Sequence, residues 1–149
     1  MKIVITSGGF DPIHNGHIEY LRKAKELGDF HICILNNDNF LKQKKGYCFF
    51  NVNQRYQIMK ELRCIDDVII SVDKDLTVCD TIKLIYNKYN NGENEFIFAK
   101  GGDRFLHEIP ESVICKELNI KIVDGLGEKI ESSSNLVNKV KAQERICKI

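Results

Sequence analysis

Apolar residues fall in short runs that alternate with stretches of helical spacing. Residues 2–6 are a β-branched run that stops at Ser7-Gly8-Gly9, as a buried strand entering a turn does. Ile18, Leu21, Ala24 and Leu27 follow at helical spacing, and Gly28 offers a C-terminal stop. Residues 30–35 read as a second strand, and residues 36–50 as a basic loop without periodicity. Asn51 and Gln54 resemble a capping box, and the helix they open carries Tyr56, Met59 and Leu62. A third strand is expected at 68–72. Val78, Ile82, Ile85 and Tyr89 then step by four, three and four, which predicts an amphipathic helix before a polar turn at 90–94. A fourth strand at 96–99, a short helix from Pro110 to Leu118, a fifth strand at 120–123 and a last helix from about Ser134 to Cys147 complete the pattern. Strands separated by helices predict a five-stranded parallel sheet covered on both faces, with any ligand beyond the carboxyl ends of the strands.

Composition narrows the function. The chain has 149 residues, 43% of them hydrophobic and 29% charged, which suits one domain (1–149) with its own core. Lys+Arg is 22 against 21 Asp+Glu, a net charge of +1, so a general nucleic-acid binder is not expected and any anion site must be local. No apolar run approaches the roughly 18 residues of a membrane span, and residues 1–7 are too short for a signal peptide, so a cytoplasmic protein is expected. The six cysteines are scattered without a C-x-x-C pair and read as small hydrophobes in a reducing compartment rather than disulfides or zinc ligands.

The unusual residues cluster where strands end. After the first strand come Gly8-Gly9-Phe10-Asp11-Pro12-Ile13-His14-Asn15-Gly16-His17, and after the fourth come Lys100-Gly101-Gly102-Asp103-Arg104. Ser132-Ser133-Ser134 follow the fifth, and Lys42, Lys44 and Lys45 lie after the second. Glycines let the backbone turn and approach a ligand closely. Gly16 falls where a helix begins, so N–H groups and the positive helix end share that space with His14 and His17, three apart and able to face one side. Such a set suits a phosphate chain in transit, with imidazoles donating to oxygens whose charge grows in the transition state. Asp11, His14 and His17 also have the chemistry of zinc ligands, but the glycines and the helix start favour phosphate, and no permanent metal is expected.

Residues 8–17 resemble the G-x-F-D-x-x-H-x-G-H signature of the nucleotidyltransferase superfamily. The similarity covers most of the chain. Residues 36–55, with the lysine-rich loop, resemble glycerol-3-phosphate cytidylyltransferase. Residues 62–69 are similar to both that enzyme and the heptose-phosphate adenylyltransferases, and Lys100-Gly101-Gly102-Asp103 resembles the latter more closely. Ser132-Ser133-Ser134-Asn135-Leu136-Val137 is similar to the family's I-S-[ST]-[ST]-x-[IL] segment. The resemblance implies a Rossmann-like domain, a cytidylyltransferase or adenylyltransferase activity, and a homodimer.

It also implies roles. Gly8, Gly9, Phe10, Asp11 and Gly16 would cradle the nucleoside triphosphate, with Lys100, Gly101 and Asp103 contacting the nucleotide. His14 and His17 would be catalytic, binding phosphates and stabilising the pentacoordinate transition state. Lys42 or Lys44 would neutralise phosphate charge from the loop. Arg55 would hold a substrate phosphate, and Arg104 would be a further phosphate contact. Ser132, Ser133 and Ser134 would present hydroxyls and N–H groups to the distal phosphates. The acceptor's phosphate oxygen would attack the α-phosphorus directly, with Mg²⁺ bridging phosphate oxygens and no general base. The acceptor expected is a small phosphorylated polyol or sugar such as glycerol 3-phosphate. Transfer of CMP from CTP is the expected reaction, on the small single domain, the Lys42-Gln43-Lys44-Lys45 loop and its spacing to Arg55, which resemble glycerol-3-phosphate cytidylyltransferase. Transfer from ATP is the alternative, on Pro12, on Lys100-Gly101-Gly102-Asp103 and on the missing Arg before Ser132. A non-catalytic nucleotide sensor is a further alternative. The class I aminoacyl-tRNA synthetases share a related H-x-G-H element, but this chain lacks their K-M-S-K-S loop.

Overall fold

The computed structural model describes residues 1–101 and 109–126, so the expected last helix and the segments holding Asp103, Arg104, Ser132, Ser133 and Ser134 lie outside the described residues. Within them, β1 (Lys2–Gly8), β2 (Phe30–Leu35), β3 (Asp67–Ile70), β4 (Glu95–Gly101) and β5 (Lys121–Leu126) form one sheet in the order β3-β2-β1-β4-β5. Every pairing is parallel. The helices are α1 (Asn15–Lys25), α2 (Asp38–Lys45), α3 (Val52–Lys60), α4 (Cys79–Tyr89) and α5 (Glu111–Glu117). The architecture is the expected Rossmann-like α/β fold.

Alternation within each strand explains the two covered faces. Ile3, Ile5, Ile32, Ile34, Phe96 and Phe98 turn to the α4 and α5 side, where Ile82, Ile85 and Cys115 close a core. Val4, Cys33, Leu35, Val68 and Ala99 turn the other way, against Leu21 and Ala24 of α1 and Met59 of α3. From β1 the chain builds outward through β2 to β3, and α4 then carries it back to the far side of β1. The strand order therefore reverses between β1 and β4, and their carboxyl ends open the crevice where such sheets bind ligands.

Three local expectations change. The stretch 36–50 is not all loop, because α2 occupies Asp38–Lys45. Asn37 caps it by accepting the Phe40 N–H at 2.8 Å, and Gly46 closes it with φ 86°. Its buried residues, Phe40 and Leu41, are adjacent and so display no helical period. Gly28 is not the stop of α1, which ends at Lys25. A Cβ at Gly28 would lie 2.7 Å from Val4 Cγ2 and 2.8 Å from the Lys2 carbonyl oxygen, so close approach to β1 is what requires glycine there. Leu62 falls just past α3, although Asn51 caps that helix as expected by accepting the Gln54 N–H.

Candidate active site

The β1–α1 turn places the histidine pair. His14 is the N-cap of α1, and its Nδ1 accepts the Gly16 N–H at 3.1 Å. His17 reaches back, its Nδ1 accepting the His14 N–H at 3.2 Å. The rings stack with centroids 3.7 Å apart and planes 20° from parallel. Because both Nδ1 lone pairs take backbone N–H groups, the proton of each neutral ring sits on Nε2. Burial, then the neighbouring His14 and Lys45, push the His17 pKa down to about 3, so it stays neutral. Two neutral donors beside a helix start with no acidic residue in its first turn make a cradle for phosphate.

Packing fixes this arrangement from below. Phe10 adopts φ 50° and buries its ring, which meets His17 edge-to-face at 5.0 Å. A Cβ at Gly9 would lie 2.7 Å from Leu41 Cδ2, so the turn and α2 are in close contact. On the other side of the crevice, a Cβ at Gly101 would meet Tyr20 Cδ1 and the Leu126 carbonyl oxygen, both at 2.9 Å. Tyr20 donates to the Ala99 carbonyl oxygen at 2.6 Å and so ties α1 to β4. Lys100, at the end of β4, lies 3.4 Å from Ser7 Oγ at the end of β1.

Two of the expected substrate contacts, Asp11 and Arg55, are held by hydrogen bonds within the protein. Asp11 is 1% exposed, and its carboxylate accepts the Phe49 and Phe50 N–H groups at 2.7 and 2.6 Å. It anchors the segment after α2. Arg55, also 1% exposed, donates to the carbonyl oxygens of Phe50, Gly9 and Asn36 and to Asp38 Oδ1, at 3.0, 2.9, 2.6 and 2.8 Å. A guanidinium so enclosed joins the turn, the end of β2 and α2. Its fork reaches several carbonyls at once, which a lysine would not.

Lysine placement also departs from expectation. Lys42 and Lys44 are exposed, and Lys44 lies over the Phe40 ring. Lys45 is half-buried, one helical turn beyond Leu41 and so on the face of α2 that meets Gly9. Its charge acts on His17, and its own pKa is lowered, first by burial, with Asp11 raising and Arg55 lowering it further. The register Leu41-to-Lys45 was the available signal, but it has meaning only once the stretch is a helix. Thus the structure brings Gly8, Gly9, Phe10, His14, Gly16, His17, Lys100 and Gly101 to one crevice and adds Lys45. Among the described residues, no group of three or more His, Cys, Asp or Glu side chains could hold a metal ion. The five described cysteines are free thiols, and burial pushes those of Cys33 and Cys115 up to about 12. No described helix is long and apolar enough to cross a membrane.

Known proteins share this sequence and this fold. Residues 5–143 match the family model described as cytidylyltransferase-like. The bifunctional protein HldE of Geobacter metallireducens is 32% identical over 150 residues, covering 93% of this chain and 27% of the relative. That of Helicobacter pylori strain J99 is 35% identical over 144 residues, covering 94% and 28%. The chain thus spans about a quarter of the length of these curated relatives. A solved lipopolysaccharide core biosynthesis protein from Thermoplasma volcanium superposes with a TM-score of 0.65 at 25% identity, over 84% of this chain and 96% of that one.

Proposed function

The chain belongs to the cytidylyltransferase-like family of nucleotidyltransferases, and from that premise we propose that it transfers AMP from ATP to a sugar phosphate with release of pyrophosphate. The observation that carries a transfer reaction is the stacked His14–His17 pair, with both Nδ1 atoms occupied by the start of α1. A phosphate oxygen of the acceptor attacks the α-phosphorus. The bond to the bridging oxygen of pyrophosphate breaks, and that oxygen keeps the electron pair. The Nε2–H groups of His14 and His17 donate to the oxygens that gain charge, and Lys45 adds a positive charge beside them. The acceptor phosphate is already ionised at neutral pH, so no proton need be removed. With the Asp11 carboxylate committed to Phe49 and Phe50, Mg²⁺ would take its ligands mainly from phosphate oxygens and arrive with the triphosphate.

The base and acceptor rest on likeness. The sequence favours CTP on its loop lysines, but the structure moves Lys42 and Lys44 outward, which weakens that reading. HldE relatives and a lipopolysaccharide core biosynthesis protein support sugar phosphate and ATP instead, as does the resemblance of residues 100–103 to heptose-phosphate adenylyltransferases. Pyrophosphate release from ATP or CTP, each paired with a heptose phosphate or glycerol 3-phosphate, tests this. ATP with the heptose phosphate is expected to lead by at least about tenfold in kcat/KM, since a site built for one base leaves polar groups unpaired with another. A lead for CTP with glycerol 3-phosphate would overturn it. Nucleotide binding without release from any pair would make the chain a sensor.

A further inference from the structure

Asn36 stands directly beyond β2, and nothing in the chemistry above uses its side chain. Its backbone is fixed on both sides. The N–H donates to the Gly8 carbonyl oxygen at 2.9 Å, and its carbonyl oxygen accepts from Arg55 Nη1 at 2.6 Å. The same Nη1 donates to the Gly9 carbonyl oxygen at 2.9 Å, so Asn36 is tied to the phosphate turn twice. The residue is 7% exposed, and its Oδ1 is buried with no hydrogen-bond partner. The next residue shows what full satisfaction looks like. Asn37 donates through Nδ2 to the Ser71 and Asp73 carbonyl oxygens and accepts the Phe40 N–H on Oδ1. A buried acceptor without a donor is disfavoured, so an unpaired one calls for a partner from outside the chain.

We propose that Asn36 is a specificity-determining residue whose Oδ1 accepts a hydrogen bond from a hydroxyl of the phosphorylated acceptor. Position and chemistry select that partner. The nucleotide side of the crevice is the reversal between β1 and β4, where Lys100 and Gly101 lie, whereas β2 flanks β1 on the opposite side. An ionised phosphate has no proton to give, so the donor must come from the carbon skeleton. A hydroxyl-bearing skeleton, a sugar or polyol phosphate, supplies that donor, whereas the quaternary ammonium of phosphocholine has no N–H to give. The assignment rests on the transferase reading only in calling this ligand the acceptor.

Titration calorimetry separates the two claims. Mannose 1-phosphate, glycerol 3-phosphate and phosphocholine are titrated into the full chain and into Asn36→Leu, with Asn36→Ala in reserve should the leucine variant not fold. The wild type is expected to bind the two hydroxylated probes at least about tenfold more tightly than phosphocholine, and the variant to reduce that ratio to about twofold. Affinity for ATP with Mg²⁺ should change by less than about threefold. A ratio that survives in the variant, no preference in the wild type, or an equal loss of ATP affinity would each overturn the assignment. Hydroxyl-selective binding without pyrophosphate release from any pair would sink the transfer reaction and leave Asn36 in place.

Discussion

Helices α1 and α4 begin on the same edge of the sheet, yet their first turns have opposite character. The start of α1 is capped by neutral imidazole nitrogens of His14 and His17, with no acidic residue in the turn. At α4, the Asp73 carboxylate accepts the Asp80 and Thr81 N–H groups at 2.8 and 3.1 Å and the Thr81 hydroxyl at 2.5 Å. Buried Glu111 takes the Val78 N–H at 3.2 Å, and Asp80 adds a further carboxylate to that turn. Side chains take up N–H groups at the start of both helices. Only α1 does so without anionic charge, and so only α1 keeps a positive end for a triphosphate. An anion site in this fold depends on what caps the helix as much as on the helix itself.

The largest expected effect comes from making α1 resemble α4. Asp is at least as good an N-cap as His, so His14→Asp should fold with stability within about 1 kcal/mol of wild type. Its carboxylate would nevertheless repel the triphosphate, and nucleotide affinity should fall by at least about a hundredfold. His17→Asn is the companion variant. Its Oδ1 can replace Nδ1 as acceptor while the Nε2–H is lost, so kcat should drop by about a hundredfold with little change in the unfolding midpoint. Pyrophosphate-release kinetics beside urea unfolding read both quantities. Near wild-type kcat in His17→Asn would refute its role in the transition state.

The reverse change at α4 should move stability alone. Asp73→Ala removes three hydrogen bonds to the start of α4, and a loss of about 2 kcal/mol is expected in chemical denaturation. Activity of the folded fraction should stay within about twofold, because no phosphate is asked to bind there. A tenfold loss of kcat would mean that α4 does take part in the site.

Acid should distinguish the two caps as well. The His17 pKa lies at about 3 when folded, below its ordinary 6.5. Between those values the unfolded chain holds a proton that folded His17 does not, so stability declines as pH falls through that window and is fully present above 6.5. By pH 5 the loss from His17 is at most about 2 kcal/mol. Buried His31, also lowered by burial, adds to it. Unfolding curves of wild type and His17→Asn, close together at pH 7.5, should separate towards pH 5, the wild type losing more stability. Parallel curves would contradict the neutral assignment.

The two starts also differ in how far the sequence announces them. His14 and His17 stand in a compact signature whose spacing carries its own chemistry. The β-branched runs marked every strand within a few residues, because buried parallel strands need little beyond continuous apolar side chains. Asp73 gives no comparable signal, since a carboxylate reads the same whether it caps a helix or faces water. Arg55 and Asp11 carry the same ambiguity, because the partners that hold them are distant in sequence. Charge is visible in a sequence, but the three carbonyl oxygens that enclose Arg55 come from residues 9, 36 and 50 and meet only in the fold. Helix α2 escaped because Phe40 and Leu41 are its only buried residues.

That last omission sets the smallest predicted effect, which concerns a charge added to α1 from outside. With residues 38–45 read as loop, any of the lysines at 42, 44 and 45 can reach the phosphates. With them helical, Lys45 shares the Leu41 face that packs on Gly9, while Lys42 and Lys44 are exposed. Lys45→Met keeps most of the side chain's apolar length and removes the charge. Its kcat/KM should fall by about tenfold, roughly 1.4 kcal/mol, whereas Lys42→Met and Lys44→Met should each stay within about threefold. The exposed pair act across water and are screened by salt, so their small contribution should vanish as ionic strength rises. The Lys45 effect should persist at high salt because that ammonium is partly withdrawn from solvent beside His17. Equal losses in all three variants, or a Lys45 effect abolished by salt, would show that α2 presents its lysines as a diffuse positive surface and not through one side chain on its Leu41 face.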